Sequence, residues 1–302
     1  MREPVERIIM PQKTTAAARP PIRNSPEYRE YVAYKLRNAP WYLYAIIAIA
    51  IFTAVTIIIN KPFQKAFLFI QAGLGVTITT TLIAFVFALA LGLLTGLGRI
   101  SNNTFARNLA TLYVELVRAI PMLVLIFFIA LVGVPAVVRG VNALGTGLME
   151  LGLDKIGSAL ASTKNELPMN TRAVIALSVT YGAFLAEIFR AGIQSIGRGQ
   201  MEAARSQGMS YWQAMRYIIL PQAIRNVLPA LGNDFISMLK DSSLVSVLAV
   251  RDITQIARLY AGRTFQYEQS YITLAVLYLT MTVLLSLLMK YIEKRIQKNE
   301  QR

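Results

Sequence analysis

The sequence predicts an all-α fold, a polytopic membrane helix bundle, and three observations carry that expectation. Of the 302 residues, 55% are hydrophobic and only 16% charged, whereas soluble domains carry about a quarter charged residues. Long uncharged runs recur along the chain, and a bilayer is crossed by roughly 20 largely apolar residues in a helix. Basic residues gather in alternate connections, the bias that marks cytoplasmic loops. Cysteine and histidine are absent, which excludes disulfide frameworks, Cys/His zinc sites and His-based catalytic relays. No catalytic or metal site is expected.

Residues 1–40 mix Pro and Arg with few large apolar groups and read as a cytoplasmic tail. Trp41–Ile59 is the first uncharged run, with Trp41, Tyr42 and Tyr44 as an interfacial belt. It lies too far along the chain and is too long for a cleaved signal. Val76–Leu97 follows, opened by a Thr cluster from Thr77 to Thr81. Leu109–Val134 is apolar except for Glu115 and Arg118, and Ala173–Ile193 except for Glu187 and Arg190. Asn226–Val250 is interrupted by Pro229, Gly232, Asp234, Lys240 and Asp241, and Ser270–Ile292 is uncharged until Lys290. Six spans with both termini inside place most Lys and Arg on the cytoplasmic side. The formal charge of +15 reflects this bias. The basic residues are spread along the chain, not gathered on one domain, so no nucleic acid is expected and membrane lipid is the first partner. Residues 135–172 read as a long outer loop with a helix at the interface over Gly140–Ser158. No GxxxxGK[ST] loop for ATP occurs.

The inner loop 194–225 is the informative segment. Gln200–Gln207 reads as a short helix, ended by Gly208 in the left-handed region. Ser210 caps a second helix, with Gln213 three residues on closing a capping box. Pro221 stops that helix or starts the next. Two short helices with a sharp turn, pinned between two spans, suit the docking of a soluble partner. A helix-turn-helix for DNA and a plain amphipathic connector share this pattern.

Glu202-Ala203-Ala204, Gly208 and Ile218-Ile-Leu-Pro221 resemble the EAA motif of permease subunits in bacterial ABC importers, with its spacing intact. Tyr113-Val-Glu-Leu-Val-Arg118-Ala-Ile-Pro121, Leu185-Ala-Glu-Ile-Phe-Arg190 and Gly232–Ser246 resemble the polar amino-acid branch, the histidine/glutamine/glutamate/arginine permeases. The resemblance covers residues 72–295 and implies a type I importer permease domain of five spans there. Residues 41–71 then supply one extra N-terminal span and an outer connection. It implies a multi-pass protein of the bacterial cell membrane that forms the translocation path of an ATP-driven amino-acid importer and is not itself an enzyme. ATP and Mg would be bound by a partner, a cytoplasmic ATPase homodimer. The other partners implied are a second permease subunit, the same or a related chain, and an extracytoplasmic amino-acid-binding protein. By the same resemblance Glu202 and Gly208 lie at the ATPase groove, Ala203 and Ala204 give close packing, and Pro221 closes the motif.

Ionisable groups at membrane depth default to functional hypotheses. Glu187 and Arg190, at i and i+3, either pair with each other or face the path; Glu115 and Arg118 repeat that spacing. A zwitterion would set its ammonium near Glu187 and its carboxylate near Lys240, with hydroxyls from Thr77 and Thr80. No second carboxylate is evident near Glu187 for a cationic side chain. Pro229 and Gly232 read as a broken helix lining a cavity or as a packing kink. A self-sufficient channel or ion-coupled carrier is the competing function, separated by whether transport needs a partner ATPase.

Overall fold

The computed structural model describes residues 41–161 and 167–300, and among these it is helical with no strand. The expected tail, 1–40, lies outside the described residues. The chain forms two compact units, Met1–Phe52 and Thr53–Arg302. Helix α1 (Trp41–Ile59) begins in the first unit and is helical as its uncharged sequence predicts.

In the second unit α2 (Lys61–Ile70) leads through a 3-10 turn into α3 (Leu74–Arg99). Next come α4 (Thr104–Ala119) and α5 (Met122–Glu150), the latter with a π turn at Ile129–Gly133. After α5 are α6 (Asp154–Ala161) and α7 (Met169–Gln194), and then two short helices, α8 (Arg198–Ser206) and α9 (Tyr211–Ala214). A π segment joins α9 to α10 (Leu220–Asp241). A 3-10 stretch, Ser242–Leu248, precedes α11 (Ile253–Thr264) and α12 (Tyr267–Glu300). Among the described residues four helices are long and apolar enough to cross a membrane: Lys61–Arg99, Met122–Glu150, Met169–Gln194 and Tyr267–Glu293.

The third span is not where the sequence pattern puts it. Ile120 is extended and Pro121 starts a new helix, so Leu109–Val134 is cut in two. The crossing helix is α5, which runs on to Glu150 and absorbs the first part of the expected 135–172 loop. Residues of α4 instead show an amphipathic pattern. Phe105, Leu109, Leu112 and Leu116 form its exposed apolar stripe, and Val114 and Val117 its buried face. The α10 segment is also corrected. It continues through Pro229, so the proline removes one intrahelical bond without ending the helix. Gly232 packs against Met289 of α12, where an added Cβ would lie 3.2 Å from its sulfur. Gly232 therefore belongs to packing.

The core centres on α3 and α7, which run parallel. Thr80 meets Asn170 near the start of both helices, Ser178 meets Ala84, and Arg99 meets Glu187 near their ends. Small residues let the backbones touch: a Cβ on Gly92 would stand 2.7 Å from Leu185 Cβ, and one on Gly96 2.9 Å from the Ala186 carbonyl. Gly182 and Ala186 face them at the same four-residue spacing. This is the small-xxx-small seam of membrane helix pairs. Ala84, Ala88, Leu177, Tyr181 and Leu185 join Ile126, Met238 and Val245 in the surrounding core. Gly96→Ala is expected to destabilise the chain by about 1–3 kcal/mol through overpacking. A lowered thermal midpoint in detergent checks this, and an unchanged midpoint would show the seam is not tight.

Candidate functional site

The loop expected to dock a partner is fully folded. Helix α8 ends in a Schellman wrap: the Met209 N–H donates to the Ala204 carbonyl (3.2 Å) and the Gly208 N–H to the Arg205 carbonyl (3.0 Å). Gly208 sits at φ +85°, the left-handed conformation in which an L side chain is strained, and an added Cβ would meet nothing within 4 Å. Ser210 caps α9 through the predicted capping box with Gln213, whose side chain accepts from the Ser210 N–H at 2.8 Å. Pro221 follows the π turn in a helix that runs unbroken from Tyr211 to Asp241, so it neither stops the second helix nor starts a separate one. The unit is anchored by Ile193, Met215, Ile219 and Ala223, with Leu97, Ile100 and Met201 packed against them. Ala204 is buried, so it faces its own chain, whereas Glu202, Ala203 and Gly208 are exposed.

A second constellation forms at the root of this unit. Arg190 pairs with Glu187 one turn earlier on α7, and its Nη1 donates to Gln194 at 2.7 Å. The other Glu187 oxygen accepts from Arg99 Nη1 at 2.6 Å, and Arg99 Nη2 reaches Glu115 of α4 at 3.4 Å. Four charges from α3, α4 and α7 thus form one chain, Glu115–Arg99–Glu187–Arg190. Glu115 pairs with Arg99, and Arg118 instead stands 5.9 Å over the Phe184 ring. Sequence reasoning misses Arg99, because it ends its helix and reads as a loop charge. A single basic residue at the end of an uncharged span is the available signal.

The remaining expected residues are not gathered around Glu187. The Thr77 hydroxyl is buried and accepts from the Ile253 N–H at 3.1 Å, fixing the start of α11. Thr80 donates to Asn170 Oδ1 at 2.9 Å. Lys240 is exposed near the end of α10 and makes no ion pair among the described residues. Its neighbour Asp241 accepts from the Tyr181 hydroxyl at 2.6 Å. Tyr181 precedes Glu187 by six residues, so Lys240 and Glu187 are separated by roughly 9 Å along α7 at 1.5 Å per residue. Tyr181 is a further polar group at membrane depth that the sequence pattern does not single out, and it is the partner of Asp241.

Residues 88–298 match the family model described as binding-protein-dependent transport system inner membrane component. The probable glutamine ABC transporter permease protein GlnM of Bacillus subtilis (strain 168) is 41% identical over 223 residues, 72% of this chain and 91% of that protein. The glutamine transport system permease protein GlnP of Escherichia coli (strain K12) is 30% identical over 225 residues, 74% of this chain and 91% of that protein. A crystal structure of an amino acid ABC transporter with histidines superposes with a TM-score of 0.60 at 36% identity, covering 77% of this chain and 95% of its own. Inward-facing MetNI methionine transporter, at 18% identity and a TM-score of 0.59, covering 79% of this chain and 99% of its own, shares the fold. Matched over most of its length in sequence and in helix arrangement, the chain belongs to the binding-protein-dependent transport system inner membrane components.

Proposed function

We propose that the chain is the membrane-spanning permease subunit of an ATP-driven importer of amino acids. One observation carries this reading most directly: residues 198–221 form a rigid, doubly capped unit that turns Glu202, Ala203 and Gly208 outward. Such a surface suits a soluble ATPase dimer, which would hold ATP and Mg. A second permease, the same or a related chain, completes the path, and an extracytoplasmic binding protein delivers the cargo. The names of the relatives support amino acids as the cargo class. Both termini face the cytoplasm in this reading, on the same side as the 198–221 unit.

Within the path Lys240, exposed and without an ion pair among the described residues, receives the cargo carboxylate. Glu187 is held by Arg99 and Arg190, so an ammonium reaches it only by displacing an arginine. Thr77 and Thr80, committed to interhelical bonds, shape the wall beside the path.

The test is reconstitution of the chain with its ATPase in liposomes, screening amino acids against the rate of ATP hydrolysis in the presence of the binding protein. Stimulation by one amino acid is expected. Uptake by the chain alone, following an ion gradient, would overturn the reading.

A further inference from the structure

A groove lies beside the docking unit, between the turn joining α3 to α4 and the α7–α8 connection. It has a volume of about 520 Å³ and is lined by Arg99, Arg107 and Arg198, with Ser101, Asn102 and Gln194 between them. Arg99 is committed to Glu187 and Glu115. Arg107 and Arg198 have no acidic partner among the described residues. The groove shares Ile100, Ser101, Asn102, Tyr211 and Met215 with a smaller cavity of about 200 Å³, which adds Leu97 and Trp212. The arginines therefore stand on the larger side and the exposed indole on the smaller, over a lining that is otherwise largely apolar.

We propose that this groove binds an anionic phospholipid of the leaflet on the docking-unit side, phosphate toward Arg107 and Arg198 and acyl chain toward Trp212. Two observations select a lipid over a soluble anion or an acidic peptide. The site sits at the ends of the crossing helices α3 and α7, the depth of headgroups. Its aromatic end, with Trp212 71% exposed, has the amphipathic rings favoured at membrane interfaces. Unpaired arginines beside a bilayer attract anionic headgroups. A free phosphate would use only the cationic end and leave the apolar extension unexplained. The occupied groove would fix Arg198, the first residue of α8, against the α3–α4 turn, so lipid composition would bear on the orientation of the docking unit. Neither the shape nor the charge of the groove depends on the cargo.

The chain has two tryptophans, Trp41 and Trp212, so Trp41→Phe leaves one reporter beside the groove. The full chain carrying that change is placed in phosphatidylcholine vesicles containing brominated phosphatidylglycerol or, separately, brominated phosphatidylcholine. Phosphatidylglycerol is expected to quench Trp212 at about tenfold lower mole fraction, and Arg107→Gln with Arg198→Gln to abolish that preference. Equal quenching by both lipids overturns the proposal without recourse to the double variant, and so does a preference that survives in it. Loss of the preference on adding inorganic phosphate would make soluble phosphate the ligand, and its loss on adding the cytoplasmic ATPase would make the groove a protein interface; each rejects the lipid.

Discussion

Gly208→Val is expected to lower cargo-dependent ATP hydrolysis at least about tenfold while leaving the chain folded. The reason is local. Gly208 holds φ +85° in open space, so the substitution meets no clash but forces a β-branched residue into the left-handed region, at about 1–2 kcal/mol. The chain relieves that strain by giving up the Schellman wrap of Met209 onto Ala204, which changes the angle between α8 and α9. Coupling in the proposed importer depends on that angle, because the ATPase would read Glu202, Ala203 and Gly208 as one rigid surface. Asn tolerates the left-handed conformation, so Gly208→Asn should retain most of the activity. Hydrolysis and uptake in liposomes, with elution volume as the control for folding, decide the matter. Equal activity in the Val and Asn variants would show that this conformation is not what the partner requires.

Glu187→Gln carries the second large effect. It leaves Arg99 and Arg190 facing each other's charge with the shared carboxylate gone, at side-chain exposures of 13% and 30%. Removing one member of a buried pair costs about 3–5 kcal/mol, and the partial exposure here reduces that to about 2 kcal/mol. The stability loss should be partly relieved by Arg99→Met in the same chain, giving a coupling energy in a double-mutant cycle that simple volume changes would not give. Unfolding of the four chains in detergent measures it. Transport should fall as well, because the cluster ties α3 and α4 to the end of α7 that leads into the docking unit. Unchanged uptake and unchanged cargo-stimulated hydrolysis in Glu187→Gln would remove this residue from both path and coupling.

Local features are legible in the residues themselves. The left-handed Gly208 and the Ser210–Gln213 box depend on contacts within a few positions, and the structure has both. At Pro221 the helix neither stops nor starts, because a π turn just before it carries the backbone through. Boundaries are harder to place where apolar character runs across a break. Leu109 to Val134 is apolar on both sides of Pro121, and hydropathy alone does not register the extended Ile120 between α4 and α5. The periodic stripe of Phe105, Leu109, Leu112 and Leu116 is the sign that α4 is only half buried. Pro229 misleads in the opposite sense, because an interior proline costs a helix one bond without obliging it to stop. The charge cluster is half legible. Glu187 and Arg190 are one turn apart, but Arg99 lies 88 positions from Glu187, and only the parallel packing of two helices brings them together. Thr77 and Thr80 read as free hydroxyls because their partners, the Ile253 N–H and Asn170, are likewise distant in the chain.

The parallel seam between α3 and α7 restricts how this protein can change shape. Where Gly92 and Gly96 meet the Leu185 Cβ and the Ala186 main chain at contact distance, sliding one rod past the other would open a gap or force atoms into overlap. The pair must therefore tilt as a single lever, ion-paired at the Arg99 end and hydrogen-bonded at the Thr80 end. A shift of Gln194 would then move the Thr80 end of the pair with it, and bending would fall on the short links after Arg99 and Gln194.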